Sequence, residues 1–556
     1  MQPRKLRVGI LALGASVSTL TIGHPQLAHA DSEPAHRASS RLRWQPCGEA
    51  YPGADCAVAS VPLDYDEPRA ERTGIQLARI RGSHATGTLF INPGGPGGSG
   101  VDFVLNGFGA YLAELLQGRF DIVGFDPRGV GSSEPLSCFG GSEEAYVDYF
   151  AEVPWFPYQP EQERQYFDAW SAYPEHCGGQ RILAHMGTAD VARDLDQLRE
   201  WVGDERLHYL GFSYGSFLGN TYANLFPDKV GALVIDGVVD PALYSTGLHA
   251  FATSEALPDE LDEIFRLCDA AGNDCPLSGT GEAGARYAVV EAALLEEPLQ
   301  LSDDQLYSYD ILIGDVLSSL YAPEYDWPGP TGIGAFIDAL YDVVLDEPGA
   351  TERATAIREA IAERWAPGPT FAERDNGDAA FYGNICSDSE FPRLFDEHVN
   401  LGIVTGRESP LGAFWWWGGA PCARWPLTKD RYAGPWTAQT AAPVLVVGNY
   451  FDGVTNYAGA VASAGLLPNS RLLSYAGWGH TAFGFNDCVT EHVLGYLLEG
   501  TLPPEGTLCE ANRNPFLPLP PEPELAAAGS GSQLRAHQPW VAAASRARRA
   551  SRSLHR

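Results

Sequence analysis

Long hydrophobic runs are missing from most of this 556-residue sequence. Beyond residue 30, no stretch is both apolar and free of charge over the roughly 20 residues that a membrane-spanning helix needs. The sequence therefore predicts no stable membrane insertion of the mature chain. Its 61 Gly and 41 Pro make it rich in loops. Their share is still below the roughly 25–30% that marks low-complexity chains, so we expect a globular protein.

Basic residues are scarce. The chain has 37 Lys and Arg against 71 Asp and Glu, which gives a formal net charge of −34. A surface this acidic repels the phosphate backbone of nucleic acids, so nucleic acid is excluded as a main partner. Cationic groups, such as the amino termini of peptides, would be attracted, but only weakly at physiological ionic strength.

Motifs that bind metals or nucleotides are missing too. The sequence has no C-x-x-C pair and no H-x-x-x-H helix, which are common zinc-binding patterns. It also has no G-x-x-x-x-G-K-[ST] phosphate-binding loop. We therefore expect neither a metal nor a cofactor.

The amino terminus has the pattern of a secretory signal peptide. Arg4, Lys5 and Arg7 precede an uncharged, mostly apolar stretch over 8–23, and Ala28-His29-Ala30 is an A-x-A cleavage site. The apolar stretch is short for a membrane anchor. We expect residues 1–30 to be removed after Ala30, a secreted mature protein, and a flexible leader or pro-segment over 31–40.

Cysteines are present in an even number, ten. In the oxidising compartment that export implies, such cysteines normally form disulfides. Pairing by neighbours is the simplest expectation, although the sequence alone does not establish the connectivity. The five expected pairs are Cys47/Cys56, Cys138/Cys177, Cys268/Cys275, Cys386/Cys422 and Cys488/Cys509.

Strand and helix patterns alternate from about residue 41. Short apolar strands are followed by helical periods, among them a helix with Thr188 as its expected N-cap and Gly203 as its stop. This alternation predicts a doubly wound, mostly parallel α/β sheet. It stops near residue 241 and returns at about 443. We therefore divide the folded chain into a first core part (41–240), a mainly helical lid insertion (241–430) and a second core part (431–519), followed by a disordered basic tail (520–556).

Gly211-Phe212-Ser213-Tyr214-Gly215 is the strongest catalytic signal. It is a G-x-S-x-G motif that directly follows a predicted strand and directly precedes a predicted helix. In α/β hydrolases this sharp turn exposes the serine hydroxyl at the carboxyl end of the sheet, beside a helix N-terminus that favours negative charge. The motif predicts Ser213 as a nucleophile.

A nucleophilic serine needs a base and an acid that orients the base. In α/β hydrolases these follow the serine in the order acid, histidine. Asp452 lies in the loop after the strand over 444–447, and His480 lies in the loop after the next strand. We therefore predict Asp452 as the acid and His480 as the base. Thr455, three residues after Asp452, can brace its loop.

The oxyanion hole is expected to use two backbone N–H groups. One belongs to Tyr214, the residue after the nucleophile, and the other to an early glycine-rich loop. The loop over 92–100 reads N-P-G-G-P-G-G-S-G, and its glycines allow close approach to a substrate. Gly95 is our choice for the second donor, with Gly94 next.

Several motifs together resemble the secreted bacterial tripeptidyl aminopeptidases, in the proline iminopeptidase-like branch of the α/β-hydrolase serine peptidases. The resemblance covers about 41–515. It is carried by the segments 92–100, 124–133, 188–195, 211–216 and 236–241. It implies the α/β-hydrolase fold, the triad Ser213, Asp452 and His480, and release of short peptides, tripeptides in particular, from free amino termini. The chain departs from proline iminopeptidases at Asn92-Pro93, where their loop opens with His.

Other functions remain open at this point. The same triad serves secreted esterases and lipases as well as proline iminopeptidases, and fold and triad do not identify the leaving group. A catalytically inactive binding protein on a hydrolase scaffold is a third possibility, which the intact order of Ser, Asp and His disfavours.

Selectivity for amino termini requires an acidic partner for the substrate's ammonium group. The lid insertion contains many acids, most of which we expect on its surface. Asp388 and Glu390 follow Cys386, and a bridge from Cys386 to Cys422 would hold them rigidly. They are our candidates for the group that binds the substrate's amino terminus.

Overall fold

The structure, a computed structural model, describes residues 42–518 except 280, 303–304, 364–369, 409 and 429. The predicted signal peptide (1–30), leader (31–40) and basic tail (520–556) lie outside the described residues. Among the described helices, none combines the length and the apolar character needed to cross a membrane.

Ten of the twelve described β-strands form the central sheet of the fold. In chain order they are β1 (Gln45–Pro46), β2 (Ala54–Pro62), β3 (Arg72–Ile80), β4 (Thr88–Asn92), β5 (Asp121–Phe125), β6 (Leu207–Phe212), β7 (Val230–Asp236), β8 (Leu299–Ser302), β9 (Gln305–Tyr307), β10 (Val444–Phe451), β11 (Ser470–Trp478) and β12 (Leu508–Cys509). All except β8 and β9 form one sheet, in the order β1-β2-β3-β5-β4-β6-β7-β10-β11-β12. β8 and β9 form a separate antiparallel pair.

Seven strands run parallel to one another, in the sheet order β5, β4, β6, β7, β10, β11 and β12, whereas β1, β2 and β3 are joined antiparallel at one edge. The central strands are apolar on both faces because helices cover both faces. In β4, for example, Leu89 and Ile91 belong to one buried cluster and Phe90 belongs to another. The expected mostly parallel α/β sheet is confirmed.

The helices flank the sheet and build the insertion. They are α1 (Gly100–Phe103), α2 (Gly109–Leu115), α3 (Glu143–Phe150), α4 (Pro160–His176), α5 (Thr188–Val202), α6 (Tyr214–Leu225), α7 (Pro241–Ser245), α8 (His249–Ala271), α9 (Ala283–Glu296), α10 (Tyr309–Ser319), α11 (Pro323–Asp326), α12 (Ile333–Val344), α13 (Ala350–Glu363), α14 (Phe371–Asp388), α15 (Phe395–Glu408), α16 (Pro410–Trp417), α17 (Tyr457–Leu466) and α18 (Asp487–Glu499). A π-helical turn joins α1 to α2 at Val104–Phe108, and 3-10 turns occupy Arg181–Ala184, Pro227–Lys229, Gly272–Asp274, Pro276–Ser278 and Ala420–Ala423.

Helix α5 ends as expected but begins differently. Gly203 adopts a left-handed conformation (φ 96°) directly after the helix, which suits glycine at this position. The N-cap is Gly187, not Thr188. The Thr188 hydroxyl does not cap the helix because it donates to Asp388 Oδ2, 2.6 Å away in the insertion.

The segment between β7 and β10 is the helical insertion that the sequence indicates, with α7–α16 and the β8–β9 pair. Its buried apolar side chains, including Trp416, Trp417 and Trp425, share one cluster with side chains from the region after β5. Asp375 of α14 joins the two regions, since its carboxylate accepts N–H groups of Cys138 and Gly141 at 3.1 and 3.2 Å. The insertion is therefore tied to the sheet domain by polar as well as apolar contacts.

Disulfides link all five pairs that neighbour pairing predicts. Cys386–Cys422 joins the end of α14 to the 3-10 turn at Ala420–Ala423, and Cys488–Cys509 joins α18 to β12. Each bridge closes a loop and so restricts the unfolded chain, which stabilises the fold.

His398 is a buried imidazole of the insertion, and its burial is expected to make stability sensitive to acid. Its side chain is fully buried among Phe167, Trp416 and Trp417. Burial disfavours the imidazolium and lowers the pKa of His398 to about 3. A folded-state pKa below the unfolded value means that stability is lost as pH falls below about 6.5.

We therefore expect His398→Leu to reduce acid destabilisation. Between pH 7 and pH 4.5 the wild type should lose about 2.5 kcal/mol of unfolding free energy through this one group, and the variant should not show this loss. Denaturant unfolding at pH 7 and pH 4.5 measures the difference. The exposed His84→Gln is the control for removing a histidine. An equal loss in wild type and His398→Leu would refute the expectation.

Candidate active site

Ser213 occupies a strained turn between β6 and α6. Its backbone has φ 57° and ψ −125°, a conformation that non-glycine residues seldom adopt. The flanking residues Gly211 and Gly215 have to be glycine because a side chain would not fit at either position. A Cβ on Gly211 would lie 2.5 Å from the carbonyl oxygen of Gly215, and one on Gly215 would lie 2.9 Å from that of Asn92. This turn has the geometry of a nucleophile elbow, as the G-x-S-x-G motif predicts.

Asp452 and His480 form a buried pair. Asp452 follows β10, His480 follows β11 by two residues, and His480 Nδ1 lies 3.0 Å from Asp452 Oδ2. Asp452 also accepts the N–H of Thr455 at 2.8 Å and the Thr455 hydroxyl at 2.8 Å. With the proton on Nδ1 directed at the carboxylate, the lone pair of the neutral imidazole is on Nε2. The pair can therefore act as an oriented base.

The segment Asp236-Gly237 at the end of β7 connects the serine turn with the histidine loop. The Asp236 carbonyl accepts the N–H of Ser213 at 2.9 Å. A Cβ on Gly237 would lie 3.2 Å from His480 Cε1. The carboxylate of Asp236 accepts the N–H of Phe483 at 2.8 Å, just beyond His480. Ser213 and His480 thus lie on either side of one short segment.

Asp236 is fully buried, and burial raises its pKa to about 7, although the N–H groups of Phe483 and Ala482 favour the ionised form. The hydrogen bonds from these two N–H groups fix the Asp236 carboxylate in place. Its function in the fold is to hold the loop that carries His480 against the end of β7.

The glycine-rich loop after β4 lies against the serine turn. A Cβ on Gly94 would be 2.8 Å from Ser213 Cβ and 3.1 Å from the Tyr214 nitrogen. The N–H of Gly94 donates to Asn92 Oδ1 at 3.0 Å, which makes the N–H of Gly95 the better choice as a second donor beside that of Tyr214. The loop and turn together can present two N–H groups to an oxyanion.

Asp388 is 2% exposed and lies behind Tyr214. Its two oxygens accept the N–H and the hydroxyl of Thr188 at 2.7 and 2.6 Å. The hydroxyl of Thr188 in turn contacts the Tyr214 hydroxyl. Burial raises the pKa of Asp388 to about 7, with the bonds from Thr188 opposing the shift. These contacts favour a role in supporting Tyr214 over direct contact with a substrate.

Glu390 is exposed and pairs with Arg431. A substrate ammonium would have to compete with this guanidinium for the carboxylate. Neither of the two predicted acids is therefore an open, unpaired carboxylate in this structure.

Two groups of possible metal ligands occur in the described part of the chain, and neither includes Ser213, Asp452 or His480. Cys488, His492 and Cys509 lie together, but the two cysteines form a disulfide and offer no thiolate. The other group is Asp64, Asp66 and Asp430, in which Asp430 also lies 3.6 Å from Arg193.

Comparisons with known proteins show the family to which this chain belongs. The family model described as "alpha/beta hydrolase fold" matches residues 87–268, and the one described as "TAP-like protein" matches residues 408–509. A tripeptidyl aminopeptidase of Streptomyces lividans is 30% identical, over 86% of this chain and 89% of its own. The chain belongs to the tripeptidyl aminopeptidase family of α/β hydrolases.

Other relatives carry different names. Serine protease Hip1 of Mycobacterium tuberculosis is 30% identical, over 84% of this chain and 91% of its own. A protein named carboxylesterase B from the same species is 31% identical, over 91% of this chain and 98% of its own. As a member of the tripeptidyl aminopeptidase family, this chain is a serine hydrolase of the peptidase type, which confirms the resemblance that the sequence motifs indicate.

Sequence reasoning missed one member of the site. Glu260 of α8 in the insertion is fully buried, and its carboxylate accepts the N–H of Gly453 and that of Gly479. These glycines adjoin Asp452 and His480. No local signal distinguishes Glu260, since it is one of several acids on α8, and only its position in space reveals the contacts.

We expect Thr455→Val to lower kcat/KM about tenfold, because it removes one hydrogen bond to the Asp452 carboxylate while keeping the side-chain shape. Thr455→Ser, which retains the hydroxyl, should recover most of the activity. Steady-state kinetics on a peptide substrate check both variants. Equal kinetics for the Val and Ser variants would show that the hydroxyl is unimportant.

Proposed function

We propose that this protein is a secreted serine exopeptidase that releases short peptides, tripeptides in particular, from free amino termini. Ser213 is the nucleophile, His480 the general base and Asp452 the acid that orients it. The observation that carries the proposal is the Asp452–His480 pair, 3.0 Å apart, next to the strained turn of Ser213. Membership of the tripeptidyl aminopeptidase family supports peptides as the substrate class.

The reaction follows from these positions. His480 Nε2 removes the hydroxyl proton of Ser213 as Oγ attacks the scissile carbonyl carbon. The tetrahedral intermediate collapses when the imidazolium returns that proton to the leaving amine, which leaves an acyl-enzyme on Ser213. Water, deprotonated by His480, then attacks the ester and releases the amino-terminal fragment.

The N–H groups of Tyr214 and Gly95 stabilise the oxyanion in both steps. Fixed backbone donors in a site shielded from water need no reorganisation as the charge develops, so they stabilise the transition state more than the substrate. Ser213 is 6% exposed and His480 is 2% exposed, which supports such a shielded site.

The insertion over 241–430 acts as a lid, and the parts over 41–240 and 431–519 form the core that carries the triad. A lid limits how many residues precede the scissile bond and thereby makes the enzyme an exopeptidase. Export rests on the signal pattern ending at Ala30, and five disulfides are consistent with an oxidising compartment.

Ser213→Ala tests the nucleophile. We expect kcat to fall at least about 1,000-fold with little change in thermal stability, because one hydroxyl is removed and the acyl-enzyme cannot form. His480→Ala should be comparably inactive. Peptide hydrolysis and labelling by a serine-directed phosphonate are the measurements. Ser302→Ala, on an exposed residue of β8, is the matched control. Activity of Ser213→Ala within tenfold of the wild type would contradict the assignment of Ser213 as the nucleophile.

An esterase is the second candidate, favoured by the relative named carboxylesterase B. The same triad cleaves esters, so the leaving group has to be measured. A peptidase should cleave an unblocked peptide amide with kcat/KM well above that of a peptide whose amino terminus is acetylated. An esterase would cleave a simple ester and neither peptide.

The free amino terminus is the selective feature of the proposed substrate. We expect acetylation to lower kcat/KM about 10- to 100-fold, because the charged hydrogen bond to an acid is lost. Mass spectrometry of products from a peptide ladder gives both the length released and the effect of acetylation. Efficient cleavage of acetylated peptides would contradict the exopeptidase proposal.

Amide variants locate the acid. If Asp388 or Glu390 binds the ammonium group, Asp388→Asn or Glu390→Gln should reduce cleavage of the free-amine peptide and spare a small activated ester. If Asp388 instead supports Tyr214, as its bonds to Thr188 favour, Asp388→Asn should reduce both reactions alike.

A further inference from the structure

Glu260 lies between the two loops that carry the acid and the base. Its Oε2 accepts the N–H of Gly453 at 2.8 Å, and its Oε1 accepts the N–H of Gly479 at 3.1 Å. Gly453 directly follows Asp452, and Gly479 directly precedes His480. One carboxylate from the insertion therefore joins the two loops whose relative position determines the 3.0 Å contact between Asp452 and His480.

A second acceptor from the insertion acts on the same loop. The N–H of His480 donates to the carbonyl of Tyr321 at 3.0 Å, and the ring of Tyr321 meets the imidazole edge-on, with centroids 5.2 Å apart. The sheet domain supplies part of the bonding as well, since the N–H of Gly479 is shared with the carbonyl of Phe451 at 2.9 Å. The insertion thus supplies acceptors at three backbone positions next to the catalytic pair.

Helix α8 approaches the loop that carries Asp452 so closely that residue 453 has to be glycine. A Cβ on Gly453 would lie 2.7 Å from Glu260 Oε2 and 2.5 Å from Leu257 Cδ2. Both atoms would have to move before a methyl group could fit. The contact between Glu260 and the loop therefore depends on a bare backbone at residue 453.

A buried acid here is costly to the fold. Glu260 is fully buried, and burial together with the nearby charge of Asp452 raises its pKa well above the usual value, while the N–H groups of Gly453 and Gly479 oppose the shift. An apolar side chain would avoid that cost but would leave both N–H groups without this acceptor. Such a costly group is expected where it serves the site.

We propose that Glu260 is a positioning residue for the Asp452–His480 pair, through which the insertion completes the catalytic geometry. It touches neither substrate nor reacting atoms and acts by fixing the two loops. The inference rests on the proposed catalytic roles of Ser213, Asp452 and His480. It makes the insertion a part of the catalytic machinery as well as a wall of the substrate site.

The test compares Glu260→Gln and Glu260→Ala with Glu263→Gln in the full-length enzyme. Glu263 is on the same helix and pairs with Arg266, so its variant controls for the loss of a carboxylate from α8. For each protein, thermal unfolding establishes folding. Then kcat and KM are measured with an unblocked peptide and with a small activated ester, together with the rate of phosphonate labelling of Ser213.

We expect kcat to fall about 10- to 100-fold in Glu260→Ala on both substrates, because small misplacements of catalytic groups cost this much. KM should stay within about threefold of the wild type, since substrate binding is not altered. Glu260→Gln, which keeps one acceptor oxygen, should lose less. Phosphonate labelling should slow in parallel, and Glu263→Gln should match the wild type.

Gly453→Ala is the independent variant should the Glu260 variants fail to fold. Its methyl group displaces the carboxylate without removing it, and kcat should again fall at nearly constant KM. Wild-type kcat in folded Glu260→Ala, or in Gly453→Ala, would overturn the inference, as would a change confined to KM. Failure of the proposed catalytic roles gives a different result, since phosphonate would then not label Ser213 even in the wild type.

Discussion

The register of the parallel strands β6, β7, β10 and β11 is the constraint on which the site depends. Phe212 of β6 pairs with Asp236 of β7, and Asp236 pairs with Val447 of β10. The residues that follow these strands must then emerge at the same edge of the sheet. Ser213 follows β6 and Asp452 follows β10, while β11, paired with β10, delivers His480. Three residues far apart in the chain are therefore brought to one edge of the sheet, where Asp452 and His480 are in direct contact.

Backbone hydrogen bonds convert this rough proximity into a defined geometry. The carbonyl of Asp236 holds the N–H of Ser213, and its carboxylate holds the loop after His480. These groups are buried, where an unsatisfied N–H costs about 1–3 kcal/mol, so each bond strongly favours one loop conformation. The strained backbone of Ser213 persists because its surroundings leave it no alternative.

The insertion does more than cover the sheet domain, because it also supplies buried hydrogen-bond acceptors to it. Its acids Glu260 and Asp388 are buried and engage backbone or hydroxyl donors of the core, at Gly453, Gly479 and Thr188. Asp375 does the same for the segment after β5. An acidic composition that looks like simple surface charge in the sequence is thus partly a set of internal acceptors joining two parts of the chain.

The sequence by itself determined the elements whose signals are local. A strand, a G-x-S-x-G turn and a helix predict Ser213 as the nucleophile, the order of later strands predicts Asp452 and His480 as its partners, and the interrupted alternation marks the insertion. Only the tertiary structure decided the partners of buried acids. Glu260 and Gly453 are 193 residues apart, and no local pattern encodes a contact across that separation. Asp388 illustrates the same limit, because its position near the Cys386 bridge suggested an acid that binds the substrate's amino terminus, whereas in the structure it is buried and accepts hydrogen bonds from Thr188.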